Sequence, residues 1–409
     1  MKEILEKALA EIKPTKKEEQ RMNEQTGKVI SMIQKQLPFC KVILGGSGDK
    51  GTWLRHSHDA DIFVQFPNEY KDADISGIIW KKLNKKFKLV RLHGSRDYFQ
   101  TKMDDSAFEI VPIMHVRKAK DALNITDVSP LHSKWVKKHK QLRDEIRLTK
   151  QFFKAARAYG AESYLAGFSG YVCEILTIYH GGFAKLVKNI AKWKPPVIID
   201  AENHFKGKNI LFELNDAKRT GPLIIIDPVQ ADRNAAAAVS LEKFEKIIRY
   251  SKKFLASPSL SFFQIKDLDS LAFDPNKEEF YTVVLTPAAG KQDVVGCKLL
   301  KCYEHILKML REGGFIISSS DWEWRKEAYL YFIVPRGALP ETSIMKGPEI
   351  TRKEHAAMFR RKHASCYTDN GRLFAVEKRQ FTRPYDLLCS LQYNPYISER
   401  AKSVKVIKK

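Results

Sequence analysis

The chain has 409 residues, with 71 Lys plus Arg against 48 Asp plus Glu and a formal net charge of +23. That length allows two to four domains with real cores, and the cationic excess makes a phosphate backbone, RNA first, the natural partner. No apolar run approaches the ~20 residues needed to span a bilayer, Met1 to Ala10 mixes acids with lysines unlike a secretory leader, and the six cysteines lack CxxC spacing; a cytoplasmic protein with reduced thiols and no membrane partner is expected.

Residues 1 to 37 read as helical, with Pro14 suited to the first turn of a second helix. Strands are predicted near 41 to 45, 59 to 66, 87 to 93 and 106 to 114, giving a mixed α/β head. From 132 to about 159 the pattern is one long charged helix, in which Leu142, Ile146, Thr149, Phe153 and Ala156 recur at three- and four-residue steps. Helices near 169 to 191, short strands near 197 and 223 and a helix from 234 to about 253 follow, closed by a boundary at Ser257-Pro258-Ser259. Beyond it come a strand at 280 to 285, an amphipathic helix at 292 to 311 and a strand pair at 315 to 318 and 328 to 334. A loop from Pro335, a helix at 351 to 362 and a strand at 371 to 378 complete an α+β, multidomain chain without internal repeats.

Most of the chemical information lies between residues 42 and 64. The apolar run Val42-Ile43-Leu44 ends in Gly45-Gly46-Ser47, and Asp59-Ala60-Asp61-Ile62-Phe63-Val64 opens the next strand with two carboxylates one residue apart. Alternation along a strand sends Asp59 and Asp61 to one face while Ala60, Ile62 and Val64 pack behind. Gly46 to Gly51 also satisfies G-x-G-x-x-G, but the short stretch from Gly51 to Asp59 has no room for the crossover helix of a dinucleotide fold. A Walker A loop fails because Thr52-Trp53 follows where Lys-Ser/Thr is required. His56-Ser57-His58 resembles a zinc site, yet Ala60 stands where the H-x-H-x-D hydrolase pattern needs an acid.

What remains is a glycine-serine turn that lets backbone N–H groups approach a triphosphate, with Ser47 and Lys50 adding a donor and a charge. The acids behind it suit magnesium, a hard ion that takes carboxylates, water and substrate phosphates. Glu109, in Ala107-Phe108-Glu109-Ile110-Val111-Pro112, is the third acid on an alternating apolar strand.

These motifs resemble the polymerase β-like nucleotidyltransferases, and more narrowly the archaeal-type (class I) CCA-adding tRNA nucleotidyltransferases. The resemblance continues through Gly51-Thr52-Trp53-Leu54, Tyr159-Gly160-Ala161-Glu162, Gly167 to Glu174, Ile226-Asp227-Pro228-Val229 with Asp232-Arg233-Asn234, Lys346-Gly347-Pro348 and Asp369-Asn370-Gly371-Arg372. It implies a polymerase β-like head at 1 to 140, a helical neck at 141 to 257, an α/β body at 258 to 290 and 366 to 409, and a tail at 291 to 365. It further implies template-independent addition of CCA to tRNA from CTP and ATP with two Mg2+ ions, which Asp59, Asp61 and Glu109 would hold. Gly46, Ser47, Lys50, Ser129, His132, Lys150 and Tyr159 fall where the family holds the triphosphate, and Arg233, with Asn234 beside it, where the base is read. The partner implied is the acceptor stem and T-arm of tRNA, and a homodimer is compatible with it.

Two features depart from the family pattern. Ala60 replaces the usual larger apolar residue between the first acids, and Glu109 is one methylene longer than the usual aspartate. Lys150 and Tyr159 diverge by half a turn on an ideal helix, so a bend near Gly160 is expected, and Asp49 is expected to face solvent or to pair with Lys50. A poly(A) polymerase or other RNA-directed nucleotidyltransferase shares these head motifs, and a decayed RNA-binding homologue would have lost its acids.

Overall fold

A computed structural model of the chain describes residues 1–55, 59–103 and 106–409, apart from the side chains of Asp59, Ala217 and Ser270. The His56-Ser57-His58 run lies outside the described residues. The chain forms two compact units, Met1–Ile265 and Lys266–Lys409.

The first unit opens with α1 (Lys2–Ile12) and α2 (Lys16–Gln36), then β1 (Lys41–Leu44), α3 (Gly46–Lys50), β2 (Asp59–Phe66), α4 (Ile75–Phe87), β3 (Val90–Leu92), β4 (Tyr98–Met103) and β5 (Ser106–Met114). Thr15 caps α2 reciprocally with Glu18, so Pro14 stands just outside the helix instead of in its first turn. Sequence patterning gave β2 and β5 to the residue and missed α4 and β4. The strand expected from 87 starts only at Val90, because Phe87 ends α4 and Lys88 turns left-handed at φ 48°.

The head sheet has the order β1-β2-β5-β4-β3. Only β2 and β5 run parallel, with Asp61 opposite Glu109 and Ile62 opposite Ile110. One face buries Ile62, Val64, Phe108 and Ile110 against Val29 and Ile33 of α2 and Ile79 and Leu83 of α4. Alternation therefore leaves Asp61 and Glu109 on the other face, which no helix of that cluster covers.

The neck follows as α5 (Ser129–Lys137), α6 (Arg143–Ala155), α7 (Gly170–His180), α8 (Phe183–Ile190), β6 (Val197–Asp200), α9 (Ile210–Glu213), α10 (Asp216–Arg219), β7 (Leu223–Asp227), β8 (Gln230–Asn234) and α11 (Leu241–Ala256). The single long helix expected from 132 is two, separated by a 3-10 turn at Lys140–Leu142. The run Lys137-Lys138-His139-Lys140 offers no apolar anchor, and Asp144 and Glu145 give α6 an acidic first turn that favours a new start. The expected register within α6 holds, with Ile146, Thr149, Phe153 and Ala156 all buried. The helix expected from 234 begins instead at Leu241, capped by Ser240, while 230–234 is strand β8. Phe152, Phe183, Phe254 and Phe263 meet in the aromatic core of this region.

In the second unit, β9 (Glu278–Pro287), α12 (Gln292–Glu312), β10 (Ser319–Trp324), β11 (Ala328–Pro335), β12 (Thr342–Glu349), α13 (Lys353–Lys362), β13 (Cys366–Asp369), β14 (Arg372–Lys378), α14 (Pro384–Ser390), α15 (Pro395–Ser398) and β15 (Ala401–Lys408) form two sheets. Their orders are β10-β11-β9-β15 and β12-β14-β13. The strand expected at 315 to 318 lies later because a tight hairpin pairs Trp324 with Ala328 and fixes β10 at 319–324, while Phe315 turns into the core beyond α12. Among the described residues no helix is long and apolar enough to cross a membrane.

Candidate active site

Sterics explain the glycine pair. After β1 the chain turns into α3 directly against β2, and the Gly45 amide donates to the Asp61 carbonyl at 2.7 Å. A Cβ on Gly45 would meet the Phe63 ring at 2.5 Å, and one on Gly46 would lie 1.6 Å from Asp61 Oδ2. Gly46 also has φ +54°, a conformation side chains disfavour.

Asp61 and Glu109 are register partners on adjacent parallel strands and line one cavity of about 370 Å3. Gln100, opposite Glu109 on β4, donates from Nε2 to Glu109 Oε1 at 2.8 Å. Gly46, Lys50, Ser129 and His132 line the same cavity. Six of the twelve expected site residues thus converge. Asp59 opens β2 opposite Ala107, and its side chain lies outside the described residues. Among the described residues no group of three His, Cys, Asp or Glu side chains gathers as a metal site. The two described acids on the rung are hard oxygen donors of the kind magnesium takes.

A second cluster lies behind the cavity. Lys50 Nζ donates to Glu174 Oε2 at 2.7 Å, and Lys150 Nζ donates to Glu174 Oε1 at 2.7 Å and to Thr52 Oγ1 at 2.9 Å. All four residues are buried. Burial alone would raise the Glu174 carboxyl, but the two ammonium groups outweigh it and hold it at about 2. Burial pulls Lys150 below the ordinary lysine range, and Glu174 opposes that pull. Tyr159, expected at a bent helix end near Gly160, lies past the end of α6, bridged to Phe168. There it converges with Lys150: a Cβ on Gly170 would lie 2.8 Å from the Tyr159 hydroxyl and 3.8 Å from Lys150 Nζ. Asp49 stays partly open to solvent, as expected, and pairs with Lys137 instead of Lys50: Lys137 Nζ donates to both its carboxylate oxygens, at 2.8 and 2.9 Å.

A third cluster centres on Asp227, whose side chain is fully buried. Its Oδ2 accepts from His132 Nε2 at 3.1 Å and Arg233 Nη1 at 2.6 Å, and its Oδ1 from Tyr171 at 3.2 Å and the Val229 amide at 3.0 Å. Burial pushes His132 below the usual histidine range despite the carboxylate beside it. Burial would raise Asp227, but its hydrogen bond from His132 and the nearby positive charges leave it lowered, hence ionised near neutral pH.

Three expected residues stand apart from the cavity wall. Ser47 is half-buried in α3, and Arg233 is linked to the cavity residue His132 through Asp227. Asn234 is saturated: Oδ1 accepts from the Ile225 and Ala236 amides, and Nδ2 donates to the Lys218 and Leu223 carbonyls. Sequence reasoning missed Glu174 and Asp227 as buried hubs, although a lone acid inside the apolar run Tyr171-Val172-Cys173-Glu174-Ile175-Leu176 was a readable signal. It also missed Ser133, which lines the cavity with a buried hydroxyl that makes no hydrogen bond among the described residues.

Residues 144–264 match the family model of the tRNA nucleotidyltransferase second domain, and residues 279–398 that of the CCA-adding enzyme C-terminal domain. The CCA-adding enzyme of Nanoarchaeum equitans is 34% identical, the alignment covering 91% of this chain and 93% of that one. The CCA-adding enzyme of Methanocaldococcus jannaschii is 29% identical, with 95% and 90% covered. A solved structure of the Cid1 poly(U) polymerase with Mg 3′-dATP bound superposes with a TM-score of 0.52 at 16% identity, covering 64% of this chain and 98% of that one. At that identity the likeness concerns the fold alone, which is the polymerase β-like nucleotidyltransferase fold expected of the head.

Proposed function

Because the chain belongs to the family of CCA-adding enzymes, we propose that it adds CCA to the 3′ end of tRNA from CTP and ATP without a nucleic-acid template. The carrying observation is the Asp61–Glu109 rung, set in one cavity with Lys50, Ser129 and His132. The 3′ hydroxyl attacks the α-phosphorus and pyrophosphate leaves. Asp59, Asp61 and Glu109 would hold two Mg2+ ions, which when bound lower the hydroxyl's pKa and offset charge on the leaving phosphates.

The chain's own groups do the rest. Glu109, one oxygen steadied by Gln100, accepts the hydroxyl proton. Gly46 and Ser47 bring backbone close to the phosphates, and Lys50, Ser129 and His132 bind them. Lys150 and Tyr159 back that surface from the buried side. Arg233 reads the base edge with a rigid fork of donors, and Asn234 fixes the strand that carries it.

We assign nucleotidyl transfer to residues 1 to 140 and nucleotide contacts to the neck at 141 to 257. The body, 258 to 290 and 366 to 409, supports a tail, 291 to 365, that grips the acceptor stem and T-arm by shape and phosphate. Exposed Arg352, Lys353, Arg360, Arg361 and Lys362 support that assignment. The terminal lysines support it less, since Lys408 pairs with Glu279 at 2.6 Å and Lys409 reaches the Asp269 carbonyl at 2.7 Å. A cytoplasmic enzyme, monomeric or homodimeric, fits this reading.

The test is to supply a tRNA lacking CCA with CTP and ATP, together and separately. Growth by CCA and a stop there is the expected result. Unlimited A addition would instead assign the chain to poly(A) synthesis, and no incorporation would leave only RNA binding.

A further inference from the structure

The proposed nucleotide contacts come from distant parts of the chain: His132 from α5 and Arg233 from β8. The imidazole can turn about two torsions and the arginine about four, yet both end on the same oxygen, Asp227 Oδ2, at 3.1 and 2.6 Å. The carboxylate is itself held. Its other oxygen takes the Val229 amide at 3.0 Å and the Tyr171 hydroxyl at 3.2 Å. Tyr171 then returns to His132, stacking on the imidazole with ring centroids 4.0 Å apart and 28° between planes.

The bonding fixes orientation as well as place. An ionised carboxylate only accepts, so His132 must donate from Nε2, which leaves Nδ1 facing a ligand: an acceptor in the neutral ring, and a donor to a phosphate oxygen when the ring takes up a proton as the polyanion binds. The guanidinium is planar and rigid, so anchoring Nη1 narrows the directions its remaining donors can take. We propose that Asp227 is a positioning residue that sets the Arg233 guanidinium in fixed relation to the His132 imidazole, so that one buried carboxylate spaces the base-reading group from the triphosphate-binding group. This rests on the nucleotide roles proposed above for those two residues. The fully buried carboxylate and its four bonds, each strengthened by the charge on the acceptor, hold that spacing.

The experiment uses the full chain with two acceptors, a tRNA lacking CCA on which CTP is titrated and a tRNA ending in CC on which ATP is titrated, GTP and UTP being titrated on each for comparison. Asp227→Asn keeps the shape of the side chain and removes its charge. It is expected to raise KM for CTP and ATP about tenfold or more and to lower their preference over GTP and UTP by a similar factor. The change in kcat should be smaller and tRNA affinity should be unaltered. Arg233→Ala should lower the preference by itself, and Asp227→Asn combined with Arg233→Ala should lower it no further, because Asp227 acts through the arginine. A folded Asp227→Asn variant with unchanged KM and preference, or losses that simply multiply in the double variant, would overturn the proposal. If Asp227→Asn does not fold, Tyr171→Phe decides: it keeps the stack and removes the hydroxyl, and unchanged KM and preference would again overturn it. Failure of the unaltered chain to add CCA would instead refute the functional reading.

Discussion

Gly46 and Asp61 occupy one another's space: a side-chain carbon on the glycine would stand 1.6 Å from the carboxylate oxygen. The turn before α3 and the acid on β2 are therefore a single mechanical unit. Gly46→Ala is expected to push the carboxylate off its rung and to strain a backbone at φ +54°. Stability should fall by about 1–3 kcal/mol and incorporation by on the order of 100-fold, read by thermal melting and by labelled-nucleotide addition.

Asp61→Asn should abolish turnover while leaving the fold intact, since Asp61 is not part of the buried core. A loss of several kcal/mol of barrier stabilisation is expected, with each ~1.4 kcal/mol a factor of ten. Full incorporation by this variant would remove Asp61 from the catalytic set. Glu109→Gln should lose activity similarly and lose Mn2+ affinity in a direct titration.

The Lys50–Glu174–Lys150 cluster predicts an acid transition. Glu174 is held at about 2, against an ordinary 4.5, so it favours the folded state fully above the unfolded value and loses that contribution as pH falls towards about 2. Denaturant midpoints measured between those limits should fall for the native chain. In Glu174→Gln that dependence should flatten, and at neutral pH the variant should be destabilised by about 3–5 kcal/mol, because two buried ammonium groups would face no counter-charge.

Asn234→Ala separates support from recognition. It removes four hydrogen bonds that tie β7 and β8 to the turn beyond. A cost of about 2–4 kcal/mol in stability is expected, with nucleotide selectivity changed less than in Arg233→Ala, as competition between the four nucleotides would report.

The parts of the site legible in the sequence were those written in local pattern. Period-two alternation located β2 and β5 to the residue and so put Asp61 and Glu109 on strands, but the parallel register that sets them opposite each other is not local and could not be read from it. The break between α5 and α6 was hidden because apolar residues keep nearly helical spacing across it. Lys50 and Lys150 read as triphosphate contacts with no counter-charge of their own, because Glu174, the carboxylate that pairs with both, lies far along the chain on α7. Asp227 looked like part of a motif and no more. Its four partners come from α5, α7, β8 and its own turn, and no local rule brings those together.

The strand order of the head carries a consequence for synthesis. β5 inserts between β2 and β4, although β4 is made first, so the sheet cannot close until its most central late strand has left the ribosome. Asp61 is translated well before Glu109, but it shares no rung with it until that insertion. A half-made head lacks the paired acids, so the capacity to lengthen a 3′ end arises only when the folding unit is complete.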